Sequence, residues 1–177
     1  MFDLSSRVTV RPADKADQAL VEAIYPAAFP EEDLLPLVGH LFDSHDCLHF
    51  VAVDGDDLVG HVAFTLCGAG DAAQGAALLA PLAVAPSHHR QGIGSALVNA
   101  GFAHLVNNNV QWVLVLGDPN YYSRFGFRAE TEIMPPCPIP DEWASAWQSV
   151  QIAPGEQVLR GNLSLPDHWL DPALWAP

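Results

Sequence analysis

LAVAPSHHRQGIGSALVNAGF, residues 82–102, and WVLVLGDPNYYSRFGF, residues 112–127, carry most of what the chain discloses about its fold. The first stretch opens as an apolar strand, turns tightly through Gly92 and Gly94, and continues from Gly92 as a helix to about Val106, ended by Asn107-Asn108-Asn109. The second belongs to a buried strand, Val110 to Leu116, after which Pro119 opens a short helix that Gly126 stops. Glycines let a backbone approach a ligand closely, and the first-turn amides of a helix have no intrahelical partners. With the helix dipole, such amides form an anion site suited to a phosphate or pyrophosphate; the same spacing also serves a plain strand-to-helix turn. Two nucleotide motifs fail here. A P-loop needs Gly-Lys-Ser/Thr, but Ser95, Ala96 and Leu97 follow Gly94 and the single lysine is Lys15; a dinucleotide fingerprint needs a third glycine where Leu97 stands.

Upstream, a strand is expected at Arg7 to Arg11, with Asp14 as a helix N-cap and Ala16, Leu20, Ala23, Ile24 and Ala27 following at helical spacing. Pro30, Glu31, Glu32 and Asp33 read as the acidic first turn of a second helix, with Leu34, Val38, Leu41 and Phe42 on its apolar face. Cys47 to Val53 and Leu58 to Leu66 form a hairpin about Asp54-Gly55-Asp56-Asp57. Gly68 to Gly75 reads as a loop before the apolar run Ala77 to Val84, and Pro81 inside that run implies a bulge or an unpaired edge. Downstream, Phe127 begins another strand, prolines 135, 136, 138 and 140 mark an excursion over 134–155, and Val158 to Leu165 alternates as a final strand. The order strand, helices, hairpin, strand, helix, strand, helix, strands predicts an α/β (α+β) sheet with helices on both faces, in one domain over 1–177.

Seven basic residues against 21 acidic ones give a net charge of −14, which argues against nucleic acid and anionic membranes and favours a cationic partner or plain solubility. The opening MFDLSSRVTVRP has no apolar leader core and no run approaches a membrane span, so a cytoplasmic protein is expected. Cys47, Cys67 and Cys137 suggest neither a disulfide framework nor a thiolate metal site, and no metal is expected. A monomer and a homodimer are both compatible with the sequence.

The pattern His89-Arg90-Gln91-Gly92-Ile93-Gly94 resembles the acetyl-CoA signature of the GCN5-related N-acetyltransferases, Gln/Arg-x-x-Gly-x-Gly/Ala between the fourth strand and the next helix. With LGDPNYYSRFGF, whose Gly117 lies 25 residues after Gly92, the chain looks most like the small bacterial members of poorly defined substrate. The resemblance is close over Leu78 to Phe127 and weaker outside. It implies a mixed, mostly antiparallel sheet splayed between the fourth and fifth strands, with Pro81 beside the opening. It implies that backbone from His89, Arg90, Gln91, Gly92, Ile93, Gly94 and Ser95 holds the CoA pyrophosphate, and that Leu82, Ala83 and Val84 present strand backbone to the pantetheine arm. His89 replaces the usual Gln or Arg. Arg90, Arg124 and Arg128, three of the seven cations, fall in this segment.

Tyr122, four residues before Gly126, holds the position of the tyrosine that assists the departing CoA thiolate, and Tyr121 is its competitor. A phenol with an ordinary pKa of about 10 can donate to a thiolate at neutral pH without being ionised. Val115 stands where the family has an asparagine; Gly117, Asp118 and Asn120 are the nearby residues able to replace it. The implied reaction is acetyl transfer from acetyl-CoA to a primary amine by direct attack in a ternary complex. The alternative is a non-catalytic acyl-CoA-binding regulatory module. Glu31 and Glu32 are candidate bases or simply helix-start carboxylates, and His61 is a candidate base or a lone core histidine. The tryptophans 143, 147, 169 and 175 either wall the acceptor site or complete the core or a dimer contact.

Overall fold

The computed structural model describes residues 7–176. The amino-terminal stretch read for a leader begins outside them. Packing divides the chain into two compact units, one built from residues up to Phe64 with Pro81–His104, the other from Thr65–Ala80 and Leu105 onward.

In the first unit, strand β1 (Val8–Pro12) pairs antiparallel with β2 (Cys47–Asp54). Asp14 caps not a long helix but a 3₁₀ turn, Lys15–Asp17, through a capping box with Asp17; helix α1 (Gln18–Ala28) follows. The apolar face of α1 differs from the expected one. Val21 and Tyr25 are buried whereas Leu20, Ala23 and Ala27 are exposed, because several apolar rows fit helical spacing and the aromatic row is the one the sheet receives. Helix α2 (Leu35–Asp43) starts later than expected, with Pro36 in its first turn, so Glu31, Glu32 and Asp33 lie in the connection before it. Its Val38 and Leu41 are fully buried, each contributing about 1.5–3 kcal/mol of apolar burial. Strand β3 (Asp57–Ala69) completes the expected hairpin with β2 but runs further than Leu66. Gly70, at φ +55°, turns it directly into β4 (Ala72–Val84), so the expected loop over Gly68–Gly75 is two long strands and a tight turn. Helix α3 (Ile93–Asn107) lies so close to β3 that a Cβ on Gly60 would sit 3.0 Å from Leu97.

In the second unit, β4 pairs in parallel with β5 (Trp112–Leu116) over three residue pairs, ending at Leu78↔Leu114. Strand β4 runs unbroken through Pro81; the ladder to β5 is what stops, three residues earlier. Helix α4 (Pro119–Tyr122) and a 3₁₀ turn, Ser123–Phe125, precede β6 (Arg128–Ala129) and β7 (Ile133–Met134). The proline-rich excursion hides a strand, β8 (Trp147–Gln151), antiparallel to β5 across five pairs and to β6. Strand β9 (Gly161–Ser164) is shorter than the expected run and pairs with β3 and β7. The hydrogen-bonded order is β1-β2-β3-β4-β5-β8-β6 with β9 and β7 off the path, a mixed sheet. Of the tail tryptophans, Trp147, Trp169 and Trp175 complete the core of this unit: Trp147 and Trp169 each approach Trp175 edge-on or tilted, and the Trp169 indole donates to the Thr65 hydroxyl at 3.0 Å.

Candidate active site

The end of β4 and the start of α3 build one half of the expected site within the first unit. Ala83 is buried and its neighbours Leu82 and Val84 half-buried, as strand alternation requires. A 3₁₀ turn, Pro86–His88, follows, and the His89 amide closes on the Pro86 carbonyl at 3.3 Å. That amide is therefore committed. The His89 ring is committed too: its Nε2 donates to the Val84 carbonyl at 2.9 Å, which fixes the tautomer and pins the loop to the strand. Arg90 takes a left-handed conformation, φ +61°, and Gly92 another, φ +79°, with open space where a Cβ would stand. Helix α3 makes its first recorded bond from the Ala96 amide to the Gly92 carbonyl at 3.0 Å. No acceptor is recorded among the described residues for the amides of Arg90, Gln91, Gly92, Ile93, Gly94 and Ser95, so of the expected run only His89 is withdrawn. Ile93 anchors the turn in the core while Arg90, Gln91 and Gly92 are exposed. Six successive donors with no recorded acceptor among the described residues, running into a helix start, suit an anion.

The second unit holds the aromatic arm. Asp118 accepts from the Asn120 amide at 2.9 Å and caps α4, so its carboxylate is engaged in fixing the turn, while Asn120 is exposed. Tyr121 and Tyr122 diverge as adjacent helical residues must. Arg124 lies 4.1 Å over the Tyr121 ring and donates from Nε to the Tyr121 carbonyl, so this cation and this phenol cover each other. Tyr122 turns inward against the bare Cα of Gly117, where a Cβ would fall 2.4 Å from the ring, and meets Phe127 edge-on at 5.6 Å. Burial, with Tyr121 alongside, pushes the Tyr122 phenol well above its ordinary value of 10. No hydrogen bond to its hydroxyl is recorded among the described residues. It remains a neutral donor throughout the physiological range.

Val115 stands opposite Gln148 in the β5–β8 ladder. Sequence reading missed Gln148, whose buried amide donates to the Gly117 carbonyl at 3.1 Å and to that of Ala146 at 3.3 Å, holding the turn on which Tyr122 rests. The signal was present as a polar residue inside the alternating WQSVQ.

His61 is not a lone core histidine. Its Nδ1 lies 2.6 Å from the Tyr25 hydroxyl and its Nε2 lies 2.9 Å from His49 Nδ1; His49 Nε2 reaches the Leu41 carbonyl at 3.2 Å. Phe42 stacks on the His49 ring at 3.9 Å. Burial lowers the pKa of both imidazoles, so both are neutral at pH 7. Glu31, Glu32 and Asp33 line a pocket of about 270 Å³ with Tyr25, Phe29 and Leu34.

The profile of the Acetyltransferase (GNAT) family matches residues 18–127. The uncharacterized N-acetyltransferase YjhQ of Escherichia coli K12 is 30% identical over 168 residues, covering 90% of this chain and 92% of its own. Among solved structures, the GNAT family N-acetyltransferase YhbS of E. coli, in complex with CoA, superposes with a TM-score of 0.82 at 27% identity over 92% of each chain. A GNAT family acetyltransferase from Brucella melitensis, in complex with acetyl-CoA, does so with a TM-score of 0.74 at 25% identity over 92% of this chain and 97% of its own. A profile spanning more than half the chain, and a relative alike over nine-tenths of it, leave one assignment: this chain is a member of the GNAT family of acetyltransferases.

Proposed function

We propose that the chain transfers the acetyl group of acetyl-CoA to a primary amine by direct attack in a ternary complex. The observation that carries this reading is the run of amides from Arg90 to Ser95 with no recorded acceptor among the described residues, placed one 3₁₀ turn beyond a strand whose ladder to β5 has already ended at Leu78. Those amides suit a pyrophosphate, and the backbone of Leu82, Ala83 and Val84 suits the amide groups of a pantetheine arm laid along it as an extra strand. The complexes of the two structural relatives with CoA and acetyl-CoA support the same choice of cosubstrate. A backbone amide near Leu82 or Ala83 would polarise the thioester carbonyl.

Tyr122 would stabilise the thiolate released when the tetrahedral intermediate collapses. Its raised pKa sharpens that role. A phenol this reluctant to ionise hydrogen-bonds a thiolate of pKa about 8.5 rather than surrendering its proton outright. The acceptor must react as a neutral amine, and for a lysine-like amine near pKa 10.4 deprotonation at pH 7 costs about 4–5 kcal/mol. The acidic lining of the pocket at Glu31, Glu32 and Asp33, within a chain of net charge −14, favours an acceptor that arrives as a cation. We place the reaction in the cytoplasm; no described helix is long and apolar enough to cross a membrane.

The test is release of free thiol from acetyl-CoA over a panel of polyamines, amino acids and lysine peptides. Turnover with at least one primary amine is expected. Tight acetyl-CoA binding with no thiol released by any acceptor would instead select a regulatory acyl-CoA-binding module, and absence of CoA binding would remove both readings.

A further inference from the structure

The hydrogen-bonded series from Tyr25 to Leu41 has a direction set at one end. A backbone carbonyl only accepts, so His49 donates to Leu41 from Nε2 and its Nδ1 must accept. His61 therefore donates from Nε2, its Nδ1 accepts, and the Tyr25 hydroxyl is the donor to it. Every proton in the series points the same way, away from the Tyr25 oxygen, and no donor to that oxygen is recorded among the described residues. Tyr25 also borders both places that matter to an acetyl transfer. It lines the acidic pocket at the α1–α2 connection, and it packs in the same buried cluster as Ala83 of β4.

We propose that Tyr25 accepts the proton of the attacking amine and that His61 and His49 are positioning residues that relay it inward, a proposal that rests on the amine-acetylating reading above. As the C–N bond forms, the amine N–H bond breaks toward the Tyr25 oxygen. Tyr25's own proton passes to His61 Nδ1, and the proton on His61 Nε2 passes to His49 Nδ1. Tyr25 ends as a neutral phenol, His61 as the other neutral tautomer, and His49 as an imidazolium whose Nε2–H still donates to Leu41. Protons are conserved, and once the product leaves the same transfers run backwards, a water in the pocket taking the proton from the Tyr25 oxygen, so that His49, His61 and Tyr25 regain their starting protonation. The route never requires a buried tyrosinate, which burial of Tyr25 strongly disfavours. Among other titratable groups on the surrounding elements, Cys47 on β2 acts electrostatically on Tyr25, Glu22 on α1 accepts from Gln18, Asp43 on α2 pairs with Lys15, and His40 stands exposed on α2.

The experiment is a proton inventory of kcat/KM in H₂O–D₂O mixtures, with acetyl-CoA and spermidine, tyramine or Nα-acetyl-lysine methyl ester as acceptor. Three protons in flight predict a bowed inventory for the unaltered protein. Tyr25→Phe keeps the ring and removes the oxygen, so kcat should fall by about 100-fold or more and the inventory straighten, while the acetyl-CoA Kd moves by less than about threefold. Full kcat with an unchanged inventory in Tyr25→Phe overturns the relay alone. His49→Gln, whose amide still donates to Leu41 but stores no proton, provides the second variant should Tyr25→Phe not fold. It should show the same loss, and an unaltered inventory in it likewise overturns the proposal. If the unaltered protein binds acetyl-CoA but releases no thiol with any amine, the reading beneath the relay fails and the relay fails with it.

Discussion

Gly117→Ala tests the role proposed for Tyr122 without removing the phenol. A Cβ on residue 117 would lie 2.4 Å from Tyr122 Cε2 and 2.9 Å from Cδ2. Carbon atoms rest about 3.5–4.0 Å apart, so the ring must retreat by more than about 1 Å. It has little room to do so. Tyr122 sits on a single helical turn capped by Asp118, with Tyr121 5.0 Å and Phe127 5.6 Å away on its edges, and Gln148 holds the Gly117 carbonyl from the other side. Overpacking of this kind costs about 1–3 kcal/mol, or a drop in Tm of roughly 2–4 °C per kcal/mol for a chain of this size. Misplacement of a reacting group by about 1 Å costs on the order of 100-fold in rate. We therefore expect kcat for thiol release to fall about 100-fold while the acetyl-CoA Kd, which we propose depends on the Arg90–Ser95 turn, stays within about threefold. The double variant Gly117→Ala/Tyr122→Phe should be no slower than Tyr122→Phe alone, because both changes act through one hydroxyl. A Gly117→Ala protein that melts lower yet turns over at the original rate would refute the role of Tyr122, as would full additivity in the double variant.

Further tests address other parts of the chain. Gly92→Ala meets no atom but forces a left-handed φ of +79° on a β-carbon; it should cost about 1–2 kcal/mol of stability and raise the acetyl-CoA Kd at least about tenfold, read by calorimetry. In Gly101→Ala the new methyl would lie 2.1 Å from the Phe64 ring, so the gain of about 1 kcal/mol in helix propensity is outweighed and urea unfolding should show net destabilisation. His49 and His61 have folded-state pKa values lowered by burial, so the unfolded chain takes up protons first as pH falls through about 6.5. Their contribution is fully present above that value and shrinks by up to about 1.4 kcal/mol per pH unit for each ring below it; Tm should fall between pH 6.5 and 5, and less steeply in His49→Gln. Tyr122 should add no descending limb to the kcat profile below pH 10, since burial raises its pKa, and a Tyr122-dependent limb near pH 8 would contradict that environment.

The parts of the site legible in the sequence are those encoded by neighbours in the chain. The Gly92 turn and the Asp118–Gly126 helix depend on left-handed glycines and a capping carboxylate within a few residues of one another, so local chemistry suffices to find them. Parts built by topology were not legible. His49 and His61 meet because a hairpin folds them face to face, and Tyr25 reaches them only once α1 presents the row Val21–Tyr25 rather than the row Leu20–Ala23. Strand β8 was masked by the prolines before it. Its alternation is short, and its identity as a strand comes from the five-residue ladder with β5. The loop expected over Gly68–Gly75 failed for a related reason: small residues suggest flexibility when read alone, yet Gly68 is required because a Cβ there would lie 1.9 Å from the Ala72 carbonyl oxygen in the returning strand.

The early end of the β4–β5 ladder also bears on how the protein behaves in solution. Beyond Leu78, one edge of β4 has no ladder partner on the β5 side among the described residues, a row of peptide groups of the kind that neighbouring chains recruit in edge-to-edge aggregation. An occupant bonded along that row would act as a guard as well as a reactant. Stocks kept with the cosubstrate at 100 times its Kd should gain about 2.7 kcal/mol against unfolding and resist clumping, whereas stripped protein should lose colloidal stability before it loses its fold.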